Sequence, residues 1–566
     1  MGKAERTVEE LVGQIERGEL RLPEMQRRYV WQATRVRDLL DSLYRGYPSG
    51  AILVWETDEE VPERDFAVNQ SNNSYSTSKL LLDGQQRLTS LLAVVRGKPI
   101  TVRGRKKPID LLFNLDHPEH RSFATEVHEK KEKNDQDASP DANEDDIQKR
   151  LADFTFIVST KQYAAKPNWV SVTEVFGSPD NKSFLKRAGI LDLDDPRLAK
   201  YSDRLNRLRS IKQYVYRLDI LERSLTYEEV TEIFVRVNSL GSKLRSSDLA
   251  MAQITAKWRD SLKIFEAFRT ECEKSGFLLE SGIHLKNLVA FATGQSRFKV
   301  VANLDIARIK EAWEPSKKGM EFALNFCESN ARLDSPALLS SPFLLITLGC
   351  YGHHVGYNLS TEDEAKLRSW LYLANMKGRY SRGSTETLLD QDLNTISDGD
   401  GVSGLINTLE SQFGRLDVLP SDLVGRTQRS ALFKTMFLAF RDDGAKDWEK
   451  PLGISLSHRG KVHRLQFHHI FPRAVLKGHY KNSEVNDICN LAFIGGTTNR
   501  RISSKKPLDY LLPLIEKIGH APFKAQCIPT DKSLFSLDAY PEFLKVRRKL
   551  VSARLNSLLA ESGALR

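Results

Sequence analysis

The stretch "KLLLDGQQRLTSLLAVVRG", Lys79 to Gly97, sets the architecture of the first part of this chain. Leu80, Leu81 and Leu82 form a short buried strand, and Asp83-Gly84 forms a turn. From Gln86 onward the spacing predicts a helix, because Leu88, Leu91, Leu92 and Val95 recur at i, i+3, i+4 and i+7. A helix N-terminus beside a glycine presents free backbone N–H groups and the positive end of the helix dipole. Arg87 in the first turn adds a planar fork suited to phosphate oxygens. The same residues also allow a plainer reading, in which Asp83 caps the helix and Arg87 faces solvent.

Two further stretches flank this one. "LPEMQRRYVWQ" (22–32) gathers Gln26, Arg27, Arg28, Tyr29, Val30 and Trp31 just ahead of a helical pattern, "TRVRDLLDSLYRG". Basic and aromatic residues interleaved in this way can grip a phosphate and stack on a base or ribose. Equally, Tyr29 and Trp31 can pack on a domain core while the arginines point to water. "FVRVNSLGSKLRSSDLAMAQI" (234–254) ends a helix at Asn238, turns at Gly241 and restarts at Ser247 or Asp248 as N-cap.

In this order the three stretches resemble the N-terminal domain of GmrSD-type modification-dependent restriction proteins. The shared patterns are "QR-x-Y-x-W", "DGQQR-x-T" and "F-x-R-x-N-x-x-G-x-x-L-x-x-x-D", over roughly the first 255 residues. The resemblance implies a ParB/sulfiredoxin-like α/β fold that binds and hydrolyses a nucleoside triphosphate, GTP or ATP. Asp83, Gly84, Gln85, Gln86 and Arg87 would line that site. The chain has no GxxxxGK[ST] phosphate loop, so this nucleotide function is invisible to a search for that motif.

The chain has 566 residues, too many for one ordinary core, and three domains are expected: 1–255, a helical 256–427, and 428–566. Apolar positions recur at helical spacing from about Leu221 to Thr427. The acidic and basic segment 128–150 reads as a solvated loop or insertion, after which the strand-like "DFTFIVST" suggests that the same domain resumes. The longest apolar run, "PFLLITLGCYG" from Pro342, is too short to span a membrane, and the N-terminus lacks a signal-peptide core. Five scattered cysteines with no CxxC pair argue against a zinc cluster or disulfide framework and for a reducing cytoplasm. A net charge of +10 suits a polyanion partner without requiring one.

The second informative stretch is "QFHHIFPRAVLKGHY" (466–480). Adjacent histidines on a strand point to opposite faces, so His468 and His469 cannot both belong to one core stripe. Downstream, "NDICNLAFIGGTTNRRISSKKPLDYL" (486–511) places Asn490 before an apolar strand, then a Gly-Gly turn. A helix opens at Thr497 or Thr498 with Asn499 in it. This order resembles a ββα-metal nuclease finger of the His-Asn-Asn (HNH) kind, found at the C-terminus of the same GmrSD-type proteins. The resemblance implies His469 as general base, His468 and Asn499 as metal ligands, and Asn490, on the second strand, as the residue that orients His469 through a backbone or side-chain contact. An amide oxygen suits Mg²⁺ or Mn²⁺, while an imidazole also admits Zn²⁺ or Ni²⁺. His468 stands where many members of the family have Asp or Glu. Arg500, Arg501, Lys505 and Lys506 follow Asn499 closely, where a nucleic-acid backbone would run.

The expectation is therefore an α/β N-terminal domain, a mostly α-helical middle and a C-terminal α+β nuclease domain. The resemblance implies a modification-dependent endonuclease of antiphage defence. Its partners would be double-stranded, modified DNA and a nucleoside triphosphate, with no membrane and with room for a homo-oligomer. The compact chain leans toward the phosphorothioate-dependent branch over enzymes of glucosylated DNA. The sensor is expected near Gln26 to Trp31 and Pro48. Two other classes compete: a nucleotide-dependent, ParB-like DNA-binding protein that does not cut, and an RNase toxin.

Overall fold

A computed structural model describes residues 2–26, 29, 31–57, 63–64, 78–98, 109–118, 154–240, 245–381, 383–450, 452–456 and 465–561. The chain divides into two compact units, Met1–Leu262 and Lys263–Arg566. Arg27, Arg28, Val30, the turn at Gly241 and the charged segment 128–150 lie outside the described residues.

The first unit is built on a mixed six-stranded sheet. Its strands are β1 (Gly2–Thr7), β2 (Leu20–Pro23), β3 (Ile52–Thr57), β4 (Glu63–Arg64) and β5 (Ser78–Asp83), with a late strand, Val215–Leu221, inserted between β1 and β3. The late strand runs antiparallel to β1 and parallel to β3, while β5 runs antiparallel to β3 and parallel to β2. Both faces are covered, which explains the unbroken leucine run in β5. Ile52, Val54 and Leu81 join the core under helices α1 (Val8–Glu16), α2 (Ala33–Tyr44) and α3 (Gln85–Arg96). Leu53, Trp55, Leu80 and Leu82 face the other way, against Tyr227, Val230 and Phe234 of α4 (Tyr227–Leu240) and Ala252 of α5 (Ser246–Lys257).

Local sequence sets the entry to these helices. Thr7 and Glu10 form a reciprocal capping box at the start of α1. Buried Glu24 accepts from the backbone N–H groups of Asp260 and Leu262 and so caps the helix that begins at Ser261. α3 begins one residue earlier than the apolar spacing suggests, at Gln85, with Gly84 as its N-cap. α4 likewise runs two residues past Asn238, and the next helix restarts at Ser246. A second sheet pairs Leu111–Asn114 with Phe156–Val158 and with Trp169–Ser171, both antiparallel, so the strand inside "DFTFIVST" belongs to this unit.

The second unit opens as a stack of helices, among them Ser281–Thr293, Ile306–Asn325, Phe343–His354, Thr361–Lys377, Thr385–Ser397 and Gly401–Phe413. The apolar run after Pro342 is the buried helix Phe343–His354. It crosses Ile306–Asn325 so closely that a Cβ on Gly349 would lie 2.7 Å from the Gly319 carbonyl oxygen. Among the described residues no helix is long and apolar enough to cross a membrane.

The unit ends in a small α+β region. Strands Leu465–His469 and Leu491–Gly495 pair antiparallel, and the chain turns directly into helix α6 (Gly496–Ile502), then α7 (Pro507–Ile518). The long helix α8 (Tyr540–Glu561) supports them. Its fully buried Arg547 donates to the carbonyls of Cys489, Leu491 and Gln526. The Gln526 side chain takes the place of a third strand, accepting from Phe493 N at 2.8 Å and donating to Phe493 O at 3.0 Å.

Candidate functional site

The histidine pair closes the strand Leu465–His469, with His468 opposite Ala492 and His469 opposite Leu491. Strand alternation sends Gln466 and His468 toward α6 and α7, and Phe467 and His469 to the other face. Phe467 packs against Phe433 and Phe493, which fixes the strand's rotation.

His468 is 2 % exposed. Its Nε2 lies 3.1 Å from the Tyr510 hydroxyl, and that hydroxyl donates to the Ile470 carbonyl at 2.8 Å. A carbonyl only accepts, so the Tyr510 proton is committed and its oxygen accepts from Nε2–H. Burial pushes His468 down to about 4, against the opposing effect of its Asn499 contact, so the ring is neutral near pH 7. Nδ1 is therefore a lone pair, and it faces the Asn499 amide oxygen at 2.9 Å. Asn499 Nδ2 in turn donates to Gln466 Oε1 at 2.6 Å.

Two facing acceptors are stable if a cation lies beside both. Two neighbouring ligands of an octahedral ion bound at about 2.1 Å sit about 3 Å apart, so His468 Nδ1 and Asn499 Oδ1 fit such an ion. Turning the Asn499 amide over, with Gln466 turning in step, gives the metal-free network a hydrogen bond instead. Among the described residues no group of three or more His, Cys, Asp or Glu is placed to hold a metal, so most of the ion's remaining positions would fall to water or substrate.

His469 is half-buried, and burial again pushes it to about 4, with Arg473 lowering it further and Asn486 opposing. Its Nε2 contacts Asn486 Oδ1 at 3.3 Å. Asn490 is fully buried, and its hydrogen bonds go to groups other than the His469 ring. Its side chain accepts from Phe471 N at 2.9 Å and donates to Phe471 O and Val485 O, both at 3.0 Å, while its backbone oxygen accepts from Ile470 N. Asn490 thus holds the turn that follows His469, and Asn486 meets the ring itself.

Asp447 anchors the junction that presents Asn499. It accepts from Gly495 N at 2.6 Å and from the Thr498 hydroxyl at 2.7 Å. Nothing in the local sequence ties Asp447 to this helix, since the contact spans half a hundred residues. Arg500, Arg501, Lys505 and Lys506 are all exposed. Arg501 pairs with Glu449 at 3.0 Å, while the other three have no ion pair among the described residues.

In the first unit the "DGQQR" motif and the segment before α2 lie against each other. Gln26 is buried and donates to the carbonyls of Leu81 and Leu82. The Tyr29 hydroxyl meets the Ser90 hydroxyl at 2.8 Å, and Trp31 N donates to Gln86 Oε1 at 3.2 Å. Gln85 and Gln86 are buried, and Tyr29 belongs to the core, with Trp31 packed at its margin. Pro48 is exposed.

Arg87 is turned inward. Its guanidinium donates to Ser49 O at 2.5 Å and Ala51 O at 2.7 Å, and pairs with Asp83 at 3.0 Å. Two glycines border it, and one of them makes room for it. Gly84, at φ +102°, could carry no Cβ without meeting the Ile52 side chain at 2.4 Å, and a Cβ on Gly50, at φ +90°, would meet Arg87 itself at 2.8 Å.

Residues 8–255, under half of the chain, match the family model described as GmrSD restriction endonuclease, N-terminal domain. The match supports a likeness to GmrSD-type restriction endonucleases over that N-terminal stretch. An uncharacterized protein from Methanocaldococcus jannaschii is 23% identical over 544 residues, covering 90% of this chain and 86% of the relative. That similarity reaches well beyond the N-terminal domain into the second unit.

Proposed function

We propose that this chain is a modification-dependent DNA endonuclease of antiphage defence, with an N-terminal unit that binds and hydrolyses GTP or ATP and a C-terminal HNH site that cuts a phosphodiester. The observation that carries the nuclease reading is the juxtaposition of His468 Nδ1 and the Asn499 side-chain amide at 2.9 Å, beside a second neutral imidazole at the same strand end.

In this reading His469 takes the proton of the attacking water, which its neutral ring permits near pH 7. A substrate phosphate brought beside it would raise its affinity for that proton by Coulomb attraction. His468 and Asn499 would hold a Mg²⁺ or Mn²⁺ ion, which when bound supplies charge neutralisation at the leaving oxygen. Arg500, Lys505 and Lys506 would draw in the sugar–phosphate backbone without reading sequence. Sensing of the modification, including phosphorothioate, belongs in this reading to the N-terminal unit.

The test is cleavage of phosphorothioate-modified and plain plasmid, with each triphosphate, in Mg²⁺ or Mn²⁺. Cutting that needs metal and modification supports the reading. Triphosphate turnover and DNA binding without any cut would favour the ParB-like alternative, and cutting of RNA alone the toxin.

A further inference from the structure

We propose that Asn486 is the positioning residue that fixes the tautomer of His469, a role that rests on the nuclease reading for its consequence but not for its geometry. The orientation of the Asn486 amide is set by the chain. Its Nδ2 donates to the Asn482 backbone carbonyl at 3.0 Å and to Asn482 Oδ1 at 2.7 Å. Turning the amide over would press an oxygen against that carbonyl, two acceptors with no proton between them. The Asn486 oxygen therefore faces the His469 ring, where Nε2 lies 3.3 Å away.

An amide oxygen can only accept, so Nε2 carries the ring proton. In a neutral imidazole the other nitrogen is then the base. Nδ1 of His469 has no hydrogen-bond partner among the described residues, which leaves its lone pair for a water. The surroundings hold this arrangement in place. Asn486 closes the short helix Asn482–Val485, directly ahead of Asp487, whose carboxylate is buried against Arg548 and the Gly425 and Cys489 amides. On the other side, Asn490 clamps Ile470 and Phe471 just beyond His469. Ring and amide are thus held from separate segments, and the asparagine that touches the ring is Asn486.

Losing a group that orients an acid, base or ligand from behind costs about 10–100-fold. Asn486→Ala is therefore expected to lower kcat for plasmid cleavage by that factor, with KM for DNA unchanged. Asn486→Asp keeps an oxygen on Nε2 but sets its second oxygen against the Asn482 carbonyl, so it should recover only part of the loss.

The decisive readout does not depend on cleavage. In the metal-free full chain labelled with ¹⁵N-histidine, His469 (assigned by the signal lost in His469→Gln) should show a protonated Nε2 and an unprotonated Nδ1. Asn486→Ala should mix the two tautomers, and Asn486→Asp should restore one. An unchanged His469 pattern in Asn486→Ala overturns the proposal, as does a wild-type ring protonated on Nδ1. If the tautomer shifts as expected but no variant or wild type cuts DNA, the nuclease reading fails and the Asn486–His469 geometry stands.

Discussion

Replacing Arg87 by alanine separates two uses of the same guanidinium. As a phosphate fork, Arg87 would be free in the absence of nucleotide; in the structure it ties the loop at Ser49–Ala51 to the start of α3. Hydrogen bonds from a charged donor are worth about 1.5–3 kcal/mol each, and the two carbonyls here are only half-buried, so water recovers part of the loss. The Asp83 carboxylate is 44 % exposed and adds at most about 1 kcal/mol. Arg87→Ala should therefore destabilise the first unit by about 2–4 kcal/mol. At the upper end of urea m-values, about 3 kcal/mol per molar, the unfolding midpoint moves down by about 1 M. Hydrogen exchange of the full chain should localise the effect to 48–57 and 84–96. Arg87→Lys distinguishes the roles further: a lysine serves phosphate as a point charge but cannot fork two carbonyls, so it should rescue little stability. Wild-type urea and exchange behaviour in Arg87→Ala, with only triphosphate turnover lost, would refute the clamp.

Three other outcomes are expected. His469→Ala should lower DNA cleavage by about 10²–10⁴-fold while triphosphate hydrolysis stays near wild type, measured on the same preparation. His117, buried between the rings of Tyr44 and Phe113, is pushed down to about 4, chiefly by burial; its folded pKa lies below the unfolded value of about 6.5, so the stability it contributes is present above pH 6.5 and lost as pH falls toward 4. Urea unfolding of the first unit at pH 5 and pH 7.5 should differ by about 1–3 kcal/mol, and the difference should shrink in His117→Gln. Tyr29→Ala should cost about 3–5 kcal/mol as a core truncation, whereas Trp31→Ala should leave the unit folded and weaken its preference for modified over plain duplex; a folded Trp31→Ala with the wild-type preference would remove Trp31 from sensing.

The elements readable in advance were those with strong local periodicity. The strand and helix of "KLLLDGQQRLTSLLAVVRG" follow from residue spacing alone, as does the helical middle. The six-stranded order did not follow, because Val215–Leu221 pairs with β1 and β3 across nearly the whole unit, and nothing local marks such a partner. At the histidine site, motif order pointed to His468, His469, Asn490 and Asn499. Asn486, Tyr510 and Asp447 were not legible: each acts through hydrogen bonds whose partners are chosen by the fold, and an asparagine, a tyrosine and an aspartate are common in any loop or helix.

The inward turn of Arg87 also changes how its motif is understood. Four of the five letters of "DGQQR" already have structural work: Gly84 yields to Ile52, Gln86 holds Trp31 N, Asp83 pairs with Arg87, and Arg87 holds the loop after Pro48. Packing of this kind does not compete with nucleotide chemistry; it can serve it. Any ligand that draws the Arg87 guanidinium away from Ser49 and Ala51 must release that loop, and any ligand that displaces Gln86 must release the backbone at Trp31. Exposed Pro48 and half-buried Trp31 are thus each one hydrogen bond removed from the motif that the family resemblance assigns to the triphosphate. A sensor built there could be read out by the nucleotide without a separate relay, since the same side chains would answer to both ligands. Contact with one small group on DNA is worth only about 1–3 kcal/mol, and shared residues of this kind are where such a small difference could be made to count.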